Sequence, residues 1–241
     1  MDYKEMHVLE HLEELRKRII LILIGFILSF FLSFLFIDKV YQYLTKDLND
    51  RLALLGPSDI LWVYMMMAGI VALATTIPIA AYQLWKFVQP ALTKEEQKVT
   101  LAFIPGLFLL FIAGIAFGYY ILFPMVLSFV HSLSGTQFET FYTVNKYFQF
   151  MINISLPFGF LFEMPAVVMY LTRLGLINPL KLIKFRKYSY FVLVVISVLI
   201  TPPDFISDIL VIIPLFVLYE MSILLSKVIY RKKVKEQTHA A

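Results

Sequence analysis

Residues 60–85 read ILWVYMMMAGIVALATTIPIAAYQLW, twenty-six positions without a charged side chain. As a helix rising 1.5 Å per residue, the run sets Trp62 and Trp85 about 34 Å apart. Indole rings at that separation match the two interfacial aromatic belts of a bilayer whose hydrocarbon is about 30 Å thick. This stretch therefore reads as a membrane-spanning helix, and it decides the class of the chain.

Composition agrees along the full 241 residues. Sixty per cent are apolar and 16% charged, with 23 Phe and 14 Tyr, and the mean hydropathy is +0.80. A soluble domain runs about 45–50% apolar and about 25% charged. These values exclude a soluble globular domain, a disordered chain and a coiled coil. With no cysteine, disulfides, thiolate metal sites and Cys nucleophiles are excluded as well.

Five more apolar runs flank the first one: 19–37, 99–123, 148–171, 188–200 and 205–225. The run at 19–37 is too long for a signal-peptide core, is preceded by five acids and has no A-x-A cleavage site after it. The run at 188–200 is short, about 20 Å as a helix. Thr201-Pro202-Pro203-Asp204 joins it to the last run as a tight turn. The predicted fold is an all-α membrane protein, one transmembrane domain over 1–241 with six spans. Residues 1–18 form an amphipathic cytoplasmic helix and 226–241 a basic tail. Residues 38–59 and 124–147 are outer loops carrying short interfacial helices. Pro78, Pro105, Pro124, Pro157, Pro165 and Pro214 lie within or beside spans, and their bends predict a concave body.

Orientation follows from the bases. The side bearing both termini holds seventeen Lys and Arg, the other side four. The positive-inside rule places both termini in the cytoplasm.

Enzyme chemistry has no footing. There is no G-x-S-x-G, H-E-x-x-H, P-loop or dinucleotide fingerprint, and none of the four histidines falls inside a span. The chain is expected not to be an enzyme and to hold no cofactor, metal or nucleic acid. The charged residues point to recognition instead. In 6–18, Met6, Leu9 and Leu12 form an apolar stripe, while Glu10, Glu14 and Arg18 share a polar face. The helix lies at the cytoplasmic surface. Its acids serve either the helix N-terminus or as a surface for a basic peptide. Glu95-Glu96, after the second span, fall on the same membrane side. Carboxylates from two segments can converge on a guanidinium, whose planar fork takes a carboxylate in bidentate fashion. Phe87 can hold an apolar residue of the same peptide.

Four short motifs occur in order. They are His11-Leu12-Glu13-Glu14-Leu15-Arg16-Lys17-Arg18, then Tyr82-Gln83-Leu84-Trp85 with Phe87-Val88-Gln89-Pro90-Ala91-Leu92 and Glu96, then Phe162-Glu163-Met164-Pro165, and finally Thr201-Pro202-Pro203-Asp204. In a six-span topology they resemble the multi-spanning C component of the twin-arginine protein translocase, the TatC family, over essentially the whole chain. The resemblance implies a receptor for twin-arginine signal peptides of folded cargo in a bacterial or archaeal cytoplasmic membrane. It also implies single-span partner subunits (the A and B components), homo-oligomers in the assembled complex, and transport driven by the proton-motive force. By motif position Glu14 and Glu96 contact the signal's arginines and Phe87 lines that site, with Glu10, Glu95 and Arg16 beside them. Where the family motif ends in a basic pair after its acid, this chain has Gln97-Lys98.

A second polar set lies within the spans. Asn145, Gln149, Asn153 and Glu163 fall within about 80° of one another on an ideal helix. A charge at such depth is costly, so this stripe should face a concavity, water or a partner helix. The alternative for Glu163 is an internal hydrogen bond, for instance to Gln83. Asp204, Ser207 and Asp208 cap the sixth span or form a partner-helix site. Glu220 either snorkels or pairs with Lys227. Two rival functions stay open: a secondary transporter of a small solute, and an assembly subunit with no ligand of its own. The absence of a visible internal repeat argues against the first.

Overall fold

The computed structural model describes residues 3–46, 52–92, 94–134, 142–201 and 204–239, without the side chains of 3–9, 91, 95, 96, 99 and 233–239. Among these residues the extended regular structure is all helical. The chain is an all-α membrane protein. Four helical stretches are each long and apolar enough to cross a bilayer: Pro57–Val88, Phe103–Leu133, Val144–Arg173 and Phe205–Lys232. A fifth is counted if Glu10–Ser33 and Ile37–Thr45, bent by 67° at their junction, act as one span. The fifth run of the sequence, 188–200, forms Arg186–Ile200, 15 residues and about 22 Å, which is short of a full crossing.

Contacts gather the chain into two compact units, Met1–Phe108 and Leu109–Ala241. In the first unit α1 (Tyr3–Ser33) packs along α3 (Pro57–Val88). The amphipathic segment and the first apolar run are one uninterrupted helix, so the segment continues the axis of the span instead of lying across it. Helix α2 (Ile37–Thr45) follows the bend, and Tyr64 of α3 donates a hydrogen bond to Asp38 at 2.9 Å. The carboxylate of Asp59 reaches back to the amides of Leu55 and Gly56 at 3.1 and 3.2 Å, fixing the start of α3. Leu48, part of the helical texture expected in this loop, lies outside the described residues. A 3-10 turn (Gln89–Ala91) and α4 (Lys94–Leu101) close the unit.

The second unit begins within α5 (Phe103–Phe117), followed by a π turn (Gly118–Leu122) and α6 (Phe123–Ser134). The apolar pattern continues through Phe129 and Leu133, so helix occupies the first eleven positions assigned from sequence to an outer loop. Then come α7 (Val144–Phe162), α8 (Met164–Arg173), α9 (Pro179–Lys184), α10 (Arg186–Ile200) and α11 (Phe205–His239). Around Gly114, Gly118 and Gly159 the backbones of α5, the π turn and α7 come so close that side chains would not fit. A Cβ on Gly114 would lie 2.3 Å from the Phe158 carbonyl oxygen, and one on Gly118 2.5 Å from the Ser155 Cα. Small residues four apart let membrane helices meet this way, where apolar burial alone gives no preference over lipid. Phe111, Phe148 and Phe158 fill the space beside them and are fully buried.

The prolines divide into two classes. Pro105 and Pro165 stand in the first turn of a helical segment. Pro78, Pro157 and Pro214 are interior and each removes an intrahelical bond, as does Pro124, which comes just after the π turn inside the continuous stretch Phe103–Leu133. Pro202 and Pro203 lie outside the described residues.

Candidate functional site

In the first unit the polar face of α1 meets α3 in two rungs. Arg18 donates through Nη2 to Glu14 Oε1 at 2.9 Å and through Nη1 to Gln83 Oε1 at 3.2 Å. Gln83, which the sequence assigns to the intramembrane polar set, thus bonds the arginine of the N-terminal helix. One turn along both helices, the His11 ring stacks on Phe87 with centroids 4.2 Å apart and planes at 24°. The local sequence explains the pairing. His11, Glu14 and Arg18 recur at three and four residues on α1, and Gln83 and Phe87 at four on α3, so each set forms one stripe.

The Arg18 side chain is 17% exposed and that of Glu14 35%. Glu14 therefore opens to the surface over a guanidinium that is mostly covered. Glu10, Glu13, Glu14, Lys17 and Arg18 line a shallow cavity of about 390 Å³ there. Glu10 is exposed at its rim. Arg16 is also exposed and contacts Glu13 at 3.8 Å, while Lys17 reaches the same oxygen at 3.4 Å. Exposed pairs of this kind contribute about 0–1 kcal/mol.

Helix α4 carries Glu95 and Glu96, whose side chains are outside the described residues. Its backbone is tied to the end of α3. Gln97 Nε2 donates to the carbonyls of Gln89 and Leu92, each at 3.1 Å. Trp85 Nε1 donates to the buried Thr100 hydroxyl at 2.9 Å. The residue that departs from the basic pair of the family motif is thus an amide satisfying orphan carbonyls, and a cation would lack the acceptor that receives Gln89. Trp85, read as an interfacial belt residue, is also the anchor of this loop.

The second unit holds the other polar set. Glu163 sits at the break between α7 and α8, and Pro165 two residues on explains that break. Both its carboxylate oxygens are buried without a hydrogen-bond partner among the described residues. It lines a groove of about 590 Å³ whose other walls are almost wholly apolar, including Phe160, Val167, Tyr188, Val192 and Ile196. Gln149 and Asn153 face outward on α7, exposed, and Asn145 is half-covered. At the start of α11, Asp204 accepts the Ser207 amide at 2.6 Å as an N-cap. Asp208 accepts the Thr201 hydroxyl. Ser207 Oγ and Asp204 Oδ2 are buried without partners among the described residues.

Sequence reasoning missed one cluster. Glu220 pairs not with Lys227 but with Arg186 at 2.7 Å and with the Tyr190 hydroxyl. Tyr190 also stacks on Phe216 with centroids 4.4 Å apart. These contacts fasten the short α10 to α11. An acid inside an apolar helix was the available signal, and its partner 34 residues away was not.

The chain matches the family model for the Sec-independent protein translocase protein TatC over residues 10–214. It is 62% identical to the translocase protein TatCd of Bacillus subtilis, with all of both chains aligned. Against TatC of Halalkalibacterium halodurans it is 42% identical, over 98% of this chain and 94% of that one. A crystal structure of the twin-arginine translocase receptor TatC superposes with a TM-score of 0.79 at 34% identity, covering 91% of this chain and 99% of the other.

Proposed function

Because this chain belongs to the TatC family of Sec-independent protein translocase proteins, we propose that it is the signal-peptide receptor and core subunit of a twin-arginine translocase. The observation carrying this reading is the arrangement of the first unit: Glu14 opens to the surface over a covered guanidinium, one turn from Phe87. Helix α4, bearing Glu96, is tied to the same end of α3. Glu14 and Glu96 bind the paired arginines by charge-assisted hydrogen bonds, with Phe87 at the adjoining apolar residue and Glu10, Glu95 and Arg16 around them. Both termini lie in the cytoplasm, on the side where Lys and Arg concentrate.

The second unit supplies the assembly face. Single-span partners dock at Glu163, Gln149 and Asn153 and at the polar start of α11. Transport through the assembled complex uses the proton-motive force. The unpartnered carboxylate in an apolar groove supports the docking face.

Binding of a twin-arginine signal peptide to the protein in nanodiscs tests the receptor reading. It should depend on Arg-Arg over Lys-Lys and fall in Glu14→Ala and Glu96→Ala. Binding indifferent to both changes would leave an assembly subunit, acting through the Glu163 face alone. Unchanged partner crosslinking in Glu163→Ala would in turn remove that face.

A further inference from the structure

The acid at the centre of the proposed peptide site is engaged from within the chain. Glu14 Oε1 accepts from Arg18, and Arg18 is held in turn by Gln83 of the neighbouring helix. Arg18 Nε is buried and has no acceptor among the described residues, so the two Nη contacts alone orient the guanidinium. Two consequences are possible. Arg18 could be a stand-in for the incoming arginine and be displaced by it. Alternatively, it could stay and hold Glu14 in place.

Burial decides between them. With 17% of its side chain exposed, Arg18 would be left covered and without a carboxylate if an incoming arginine took Glu14 away. A guanidinium this covered has little water to replace a lost carboxylate, so removing its partner is unfavourable. Glu14 has no such need for exchange. A carboxylate offers about four lone-pair sites, Arg18 uses Oε1, and over a third of the side chain is open. The second oxygen can take a new donor while the first stays bound.

We propose that Arg18 and Gln83 are positioning residues for arginine recognition. Gln83 fixes Arg18, Arg18 fixes the rotamer of Glu14, and Glu14 presents Oε2 together with the second lone pair of Oε1 to the peptide. This inference rests on the receptor reading given above. A free Glu side chain samples several rotamers, and only a held one meets a planar fork in good geometry. Lysine's ammonium is a point charge on a flexible stem and gains little from that order. The relay therefore favours arginine over lysine rather than cations in general.

The test measures affinities of Arg-Arg and Lys-Lys signal peptides for the full chain in nanodiscs, on wild type, Gln83→Met, Arg18→Lys and Glu14→Gln. Gln83→Met keeps the side-chain length and removes the acceptor. It should weaken Arg-Arg binding about three- to tenfold, the scale of one ordinary hydrogen bond, and leave Lys-Lys binding within about twofold. The arginine preference then falls by the same factor. Arg18→Lys keeps the charge but loses the fork, and should fall in the same direction. Tighter binding of both peptides by one common factor would overturn the proposal and identify Arg18 as an internal competitor. A drop in thermal stability with unchanged affinities would overturn it in favour of a structural tie. If Glu14→Gln itself leaves Arg-Arg binding unchanged, the receptor site is elsewhere, a failure distinct from that of the relay.

Discussion

The helix pair α1/α3 in the first unit and the packing of α5 on α7 in the second solve one problem in opposite ways. Where α1 meets α3, side chains do the joining: Arg18 to Gln83, His11 on Phe87, and Gly25 with Ile79 Cδ1 3.3 Å from where its Cβ would be. Where α5 meets α7, backbone touches backbone, and there is no room for a methyl group at Gly114. The acids follow suit. Glu14 has a guanidinium of its own, whereas Glu163 has no partner among the described residues. A side-chain seam can be adjusted by a ligand that adds one more donor. A backbone seam is fixed, and Glu163, four residues beyond Gly159, keeps its carboxylate covered and without a partner among the described residues.

The sharpest way to break this contrast is to place the same methyl group in both seams. Gly114→Ala should destabilise the second unit by about 3 kcal/mol, because the new carbon meets a carbonyl oxygen that cannot turn aside. Thermal unfolding in detergent, followed by size-exclusion recovery, reads this directly. The next effect has the opposite sign. Glu163→Leu should stabilise the isolated protein by about 1–3 kcal/mol, since it removes a covered carboxylate that has no partner. The same unfolding assay decides it, and an unchanged or lowered midpoint would mean the groove already satisfies the acid.

Thr100→Val should cost about 1 kcal/mol by leaving the Trp85 indole N–H without its acceptor. The loss should appear as faster amide exchange over α4 (Lys94–Leu101) while α1 stays protected. Smallest of all, Gly25→Ala should change stability by no more than about 0.5 kcal/mol. The terminal carbon of Ile79 can shift to admit it, and alanine favours the helix. A large loss there would show that both seams are rigid and would collapse the distinction.

The apolar runs were legible because hydrophobic length is a local property: twenty-six uncharged residues can only be accommodated in a few ways. Glu163 was legible for the converse reason, as a charge placed where charge is costly, and the acids of the N-terminal helix were legible as a polar face at helical spacing. What sequence could not supply was pairing across distance. Gln83 looks intramembrane by position, yet Arg18, 65 residues earlier, claims it. Glu220 lies near Lys227 in sequence but binds Arg186 and Tyr190. Nothing in the period of either helix specifies these partners. The division into two units is likewise a matter of which helices share long contacts, and six similar apolar runs do not announce it. The extension of the third span into α6 was hidden by Pro124, a residue that usually ends a helix but here directly follows a π turn within a continuous one.

The π turn at Gly118–Leu122 has a bearing on how this fold tolerates length change. A π turn is an α-helix carrying one residue too many, its extra position absorbed by a wider ring. Removing one residue from it would restore an ordinary α ladder and leave the residues beyond it on the faces they occupy, with Phe123 and Val126 still buried. Removing one residue elsewhere in α5 or α6, where no wide ring takes up the change, would turn everything beyond the deletion by about 100°. The π turn is thus a place where this span can lose a residue without re-aiming α6.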